Sequence, residues 1–210
     1  MEKPLVDAIL SRRSIRKFKE KDVDTEIIKE ILKVGRSAPS RGNSQPWHFI
    51  VVTDSKVKKR LGDACYGQKV VKTAAFCIVV LGKIDPRKSV PDRTAELVKA
   101  GAFGREVKDF ADHILDDWSL AEMKVDAALN SSIPAALMSI AALDFGLGCC
   151  WVKLAKDDGV LEIVGAPEGF YHTGTIAFGY PDEDPSPRPR LPYKNLVSHN
   201  RFGTPYPDLE

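Results

Sequence analysis

Apolar positions recur along this chain with two different periods, and the switches between them mark out its elements. Leu5, Val6, Ile9 and Leu10 fall on one face of a helix that Pro4 can open and that runs into Ser11. Asp24 or Thr25 can cap a second helix, in which Ile27, Ile28, Ile31, Leu32 and Val34 keep the helical period up to Gly35. The stretch SAPSRGNSQPW that follows is a loop by composition, dense in Pro, Ser, Gly and Asn. HFIVVTD and AAFCIVVLG are short apolar runs rich in β-branched residues and predict buried strands, with a charged helix over residues 55–72 between them. TGTIAFGYP predicts a further strand after a polar, glycine-containing segment.

Three segments depart from this alternation. Residues 125–145, VDAALNSSIPAALMSIAALDF, are apolar almost all round, as a helix central to a core must be, and Pro134 predicts a kink in it; GLGCCW ends it. Residues 83–120 are more polar, and Val107, Phe110, Ile114 and Trp118 at helical spacing predict an inserted helical cover. From about residue 182 the tail DEDPSPRPRLPYKNLVSHNRFGTPYPDLE holds too much proline for a compact element, which predicts an extended segment wrapping the surface or a neighbouring subunit. No internal repeat is present.

A length of 210 residues with 43% hydrophobic content suits one domain over 1–210. The 31 basic and 29 acidic residues nearly cancel, which argues against a general nucleic-acid binder. No signal-peptide pattern opens the chain and no uninterrupted apolar run is long enough to span a bilayer, so a cytoplasmic protein is expected. Cys65, Cys77, Cys149 and Cys150 form no CxxC pair and do not cluster with the four histidines, so no metal site is expected. They read as free thiols in a reducing compartment, with adjacent Cys149 and Cys150 keeping a minor redox-sensing alternative.

Against this balanced background the stretch SRRSIRKFK gathers Arg12, Arg13, Arg16, Lys17 and Lys19. Guanidinium forks and a Ser14 hydroxyl at a helix end suit a phosphate monoester, which carries a charge of about −1.5 to −2 near neutral pH. A solvated basic turn would look the same. In APSRGNSQPWHF, Ser40, Arg41, Asn43 and Gln45 can present hydroxyl and amide groups to the edge of a flat heterocycle, although a purely structural loop is equally compatible. His48 reads as a hydrogen-bonded core residue rather than a base, and Phe103, Phe110 and Trp118 as core packing rather than the lining of a substrate lid. The glycines near residue 146 lack the dinucleotide fingerprint and follow a helix instead of opening one.

RRSIRKF, followed after one amphipathic helix by APSRGNSQPWHFIVV, resembles the paired N-terminal signature of the FMN-dependent nitroreductase family, with weaker matches in GLGCCW and in PRPRLP after the FGYP strand. The resemblance implies an α+β fold with a mostly antiparallel mixed sheet flanked by helices, dimerised through the long apolar helix with one FMN at each of two interfacial sites. It implies that Arg12 and Ser14 bind the FMN phosphate and that Arg13 lies near the ribityl chain or phosphate. Arg16 then lies by the pyrimidine edge, where a fixed cation tunes the flavin toward accepting electrons. Pro39, Ser40, Arg41 and Asn43 would reach the flavin of the other chain. Trp151, Val152 and Lys153 would place backbone against the ring near N5, and Arg188 and Arg190 would close on the phosphate.

The implied activity is a ping-pong NAD(P)H oxidoreductase reducing nitroaromatic or quinone-like acceptors, with no side chain required as acid or base. Many members carry an acidic residue and Gly on the N5 side, where this chain has Trp, Val and Lys. A reductive dehalogenase, a flavin-fragmenting oxygenase or a non-catalytic FMN-binding redox sensor therefore stand as alternatives. A nucleic-acid module using SRRSIRKFK lacks the accompanying aromatic platform.

Overall fold

The computed structural model describes residues 4–87, 89–104, 106–107 and 116–209. Four antiparallel strands, β1 (Trp47–Val52), β2 (Phe76–Lys83), β3 (Gly148–Val152) and β4 (Phe170–Gly179), form one sheet in the order β1-β2-β4-β3. A single parallel bridge, Ser14 with Cys149, adds the N-terminal segment at the β3 edge and gives the sheet its mixed character. Because side chains alternate across a strand, Cys77, Val79 and Leu81 of β2 face one cluster with Cys150 and Val152, while Phe76, Ile78 and Val80 face the other with Cys149.

On the first face lie α3 (Ser55–Ala64), α4 (Lys69–Thr73) and α7 (Asp157–Ile163). On the second lie α2 (Thr25–Arg36) and the long α6 (Leu120–Ala141). Phe76 and Phe178 stack beneath them at 4.9 Å, an arrangement that contributes about 0.5–1.5 kcal/mol beyond its burial. Two further helices, α1 (Pro4–Ser11) and α5 (Val90–Lys99), lie outside these layers, and α1 buries none of its residues.

Several expectations are corrected. The single helix over 55–72 is two, because Tyr66 and Gly67 both take left-handed backbone angles that stop α3. GLGCCW does more than end a helix: it becomes β3, whose glycine and cysteines hid its strand character. The polar segment before β4 contains α7, too short for periodicity to reveal. The apolar helix begins at Leu120, five residues earlier than expected, where Ser119 and Glu122 form a capping box, and it runs unbroken through Pro134 before a 3₁₀ turn at Ala142–Phe145. Leu120–Phe145 is long and apolar enough by length and mean composition to cross a membrane, but charged and polar residues interrupt it and it is the core helix on the sheet. His48 is exposed on β1 with its ring edge toward Phe170, so it is not a core histidine. Phe110 and Ile114 lie outside the described residues.

Among the described residues the buried histidine is His172, fully enclosed on β4. Burial depresses its pKa, while a hydrogen bond to Asp157 opposes that shift. An unfolded histidine takes up a proton near pH ~6.5, whereas this one stays neutral to lower pH. Its contribution to stability is therefore complete above the unfolded pKa and is lost as pH falls from there through the lower folded pKa. Thermal midpoints taken from about pH 7.5 to about 5.5 should fall more steeply for the wild type than for His172→Asn; parallel curves would contradict the assignment.

Candidate functional site

The basic stretch is laid along the edge of the sheet by two apolar anchors. Ile15 and Phe18 are buried in the core, leaving Arg12, Ser14, Arg16 and Lys17 between and beside them. Ile15 N–H donates to Cys149 O at 2.9 Å, and a side chain on Gly148 could not be accommodated, since a Cβ there would lie 2.4 Å from Ile15 Cγ1. The chain leaving β4 ties down the other end: Lys19 N–H donates to Tyr180 O at 2.9 Å and Asp182 N–H to Lys17 O at 3.0 Å. Glu183 Oε1 accepts from the Arg16 and Lys17 amides at 2.5 and 3.2 Å. The Arg16 amide foremost, then the Lys17 amide and the neighbouring Lys17 and Arg16 cations, hold the Glu183 carboxyl below its usual pKa against the opposing effect of desolvation.

The four predicted residues of this stretch are not equivalent. Arg13 folds back, its guanidinium donating to Leu10 O at 2.8 Å and Arg12 O at 2.9 Å, so it caps the carbonyl end of α1. Arg16 makes one long contact, to Ser14 O at 3.3 Å. The Arg12 guanidinium and the Ser14 hydroxyl have no hydrogen-bond partner among the described residues. A guanidinium and a hydroxyl two residues apart, just past the last residue of α1, are donors of the kind that bind a phosphate.

The second predicted loop is held open by α6. Arg41 makes a bidentate ion pair with Asp126, at 2.9 and 3.0 Å, and its guanidinium lies 4.8 Å from the centre of the Trp118 ring. Asn130, one turn on from Asp126, accepts from Arg41 N–H at 2.8 Å and donates to Asp126 O at 2.8 Å. The loop then runs through left-handed angles at Gly42, Asn43 and Gln45, and Ser40 Oγ accepts from Gln45 N–H at 2.9 Å. Left-handed non-glycine residues are costly and persist only where surrounding contacts impose them. Asp126 and Asn130 fix Arg41 at the start of this run, and Ser40 Oγ with the Gln45–Asn43 contact holds the left-handed residues themselves. Neither Asp126 nor Asn130 is evident in the sequence because both sit inside a helix that is apolar almost all round; their spacing of four, placing them on one face, was the available signal.

At the exit of β3, Trp151 is partly exposed and its indole lies so close over Gly174 that a Cβ there would meet Nε1 at 2.1 Å. Val152 is buried. Lys153 Nζ donates to both Asp157 oxygens and to His172 O. The ring of His172 bridges Asp157 Oδ1 at 2.8 Å and Thr175 Oγ1 at 3.0 Å. Burial works to raise the Asp157 pKa, but the hydrogen bonds from Lys153 and His172 outweigh it and the carboxyl titrates below its ordinary value.

Ser14 at Cys149 and Lys153 at the end of the strand are about 13 Å apart along β3, so the free phosphate donors and the β3 exit line one strand. The loop 39–45 is not part of that line: no hydrogen bond or ion pair joins it to the Arg12–Arg16 stretch among the described residues. Pro39 is exposed and Asn43 is half-buried, its Oδ1 accepting from Gln45 Nε2. Arg188 and Arg190 lie in the exposed tail, and among the described residues no hydrogen bond or ion pair joins them to Arg12 or Ser14. Phe103 is exposed, and Trp118 packs against Val90 as well as Arg41.

The cysteines offer no reactive thiol. All four are buried and free, and burial raises their pKa values, to about 11 for Cys65 and about 12 for Cys77. Cys149 and Cys150, also raised, point to opposite faces of the sheet.

Comparison with known proteins accords with this geometry. The chain is 30% identical over 200 residues to an NADH dehydrogenase of Thermus thermophilus, covering 92% of this chain and 96% of the relative. It superposes with a TM-score of 0.74 and 26% identity on the NADPH:FMN oxidoreductase from Vibrio harveyi complexed with NAD+, covering 94% of this chain and 77% of that one. A fold relative from Exiguobacterium sibiricum crystallised in complex with FMN gives a TM-score of 0.83 at 21% identity, covering 95% and 99%. The profile of the nitroreductase family matches residues 9–180, from the end of α1 to the exit of β4 where the basic stretch is tied down, and the chain belongs to that family.

Proposed function

We propose that this chain is an FMN-dependent NAD(P)H oxidoreductase that works in the cytoplasm as a homodimer. The observation that carries the reading is the pair of unpartnered phosphate donors, Arg12 and Ser14, pinned to the β3 edge in line with Trp151–Lys153. Bound FMN would supply the two-electron chemistry, taking hydride from NAD(P)H and passing it to a nitroaromatic or quinone-like acceptor in two half-reactions. Arg12 and Ser14 hold the phosphate; Arg16 places a cation by the pyrimidine edge; backbone at 151–153 faces the ring.

Two observations support a two-chain site. Among the described residues no hydrogen bond or ion pair joins the 39–45 loop to the Arg12–Arg16 stretch of the same chain, and α6 leaves Val125, Leu129 and Ile133, a row at four-residue spacing, uncovered together with the apolar face of α1. Such a surface on a core helix calls for a partner, and a second copy would bring its own Ser40 and Asn43 to the flavin. The arginine of that loop is committed to Asp126, so Arg41 acts there by shaping the loop. The buried, back-to-back thiols give no support to a redox-sensing alternative.

The visible spectrum of the purified protein and chromatography of what heat releases from it, combined with sedimentation, test this reading. A yellow dimer releasing one FMN per chain, whose flavin is bleached by NAD(P)H and restored by a quinone, is the expected result. A colourless protein that takes up no added FMN would overturn it.

A further inference from the structure

Beside the proposed flavin position a cation and an anion are locked together by a buried group. Lys153 Nζ lies 2.8 and 2.7 Å from the two Asp157 oxygens and 2.8 Å from His172 O, and also sits over the Tyr171 ring. An exposed lysine and aspartate four residues apart would form and break such a pair freely. Here the carboxylate is anchored from behind. His172, with no exposed surface, is aimed at Asp157 Oδ1 through Nδ1, while Nε2 is occupied by Thr175 Oγ1. With Asp157 ionised, Nδ1 is the protonated nitrogen, and Nε2 accepts from the threonine hydroxyl. If the carboxylate swung away to release Lys153, it would strand a buried imidazole N–H.

We propose that Asp157, braced by His172, is a positioning residue that keeps the Lys153 ammonium compensated beside the flavin and thereby sets the potential at which bound FMN takes up electrons. This rests on the reading that residues 151–153 lie against the ring. A lone cation there would favour the more negative reduced flavin, making it easier to reduce and a weaker donor to acceptors. A compensated pair acts as a short dipole whose field fades faster with distance than that of a single charge. The chain thus carries a lysine at the ring while withholding most of its field, which keeps the reduced cofactor competent toward acceptors of low potential.

The test is redox titration of the flavin-loaded full chain at low ionic strength, in Asp157→Asn, Lys153→Gln and the double variant. Asp157→Asn uncovers a cation and should move the midpoint upward. Lys153→Gln, at a half-exposed side chain that needs no repacking, uncovers an anion and should move it downward; the double variant should return close to wild type. Raising the salt concentration should shrink both single shifts. Shifts of the same sign in both single variants, as general loosening of the site would produce, overturn the proposal. So do unmoved midpoints. Arg16→Gln separates the two levels: if it lowers the potential while the pair variants do not, this inference alone fails, and if it too is silent, the placement of the flavin fails with it. Should Asp157→Asn not fold, the sign of the Lys153→Gln shift decides.

Discussion

Replacing Arg12 with alanine should weaken FMN binding about 10- to 100-fold while leaving the fold intact. The estimate follows from the usual worth of a hydrogen bond to a charged group, about 1.5–3 kcal/mol, at tenfold per 1.4 kcal/mol. Among the described residues no hydrogen bond or ion pair uses the Arg12 guanidinium, and its backbone N–H, which donates to Ala8 O and Ile9 O, survives the substitution. Arg12→Lys should recover part of the loss, since a point charge replaces a planar fork. Titration of flavin-free protein with FMN by fluorescence quenching, alongside a thermal melt, reads both effects. Unchanged affinity would remove Arg12 from the phosphate site. The same substitution at Arg13 should do much less to FMN, because that guanidinium is spent on the carbonyls ending α1.

The second large effect is expected at a residue that touches no proposed ligand. Asp126→Ala removes both acceptors from Arg41, whose side chain is 30% exposed against 11% for the aspartate. Breaking a buried pair costs 3–5 kcal/mol; with one partner partly solvated, a loss of about 2 kcal/mol is expected. The released arginine would also loosen the left-handed run from Gly42 to Gln45, so flavin occupancy should fall together with the urea midpoint. Asp126→Asn keeps one acceptor and should lie between the two. An Asp126→Ala protein with an unshifted midpoint and full flavin occupancy would show that the loop holds its shape without the clamp.

What was legible beforehand was whatever short-range chemistry determines. The amphipathic period of α2, the apolar runs of β1, β2 and β4, and the basic stretch beside α1 all declare themselves in a few consecutive residues. Ile15 and Phe18, three apart within that stretch, already separate its buried positions from its charged ones. β3 was less legible, because a strand only five residues long, opening with glycine and two cysteines, acquires its character from pairing with β4 and from the parallel bridge at Ser14. The start of α6 was missed for the converse reason: its cap is written in Ser119 and Glu122, but the apolar pattern used to find the helix begins only later.

The sequence alone determined which residue types stand at the site, since motifs such as RRSIRKF and PSRGNSQPW are local and their spacing is covalent. Only the tertiary structure decided which of them are free to act. Whether a guanidinium is available depends on what long-range packing brings to it, and three of the predicted cations are already engaged: Arg13 by α1, Arg41 by Asp126, eighty-five residues away, and Lys153 by Asp157 and His172. The side chains of Arg12 and Ser14 have no hydrogen-bond partner among the described residues, because the buried Ile15 and the chain leaving β4 hold their backbone in place and spare them for a ligand.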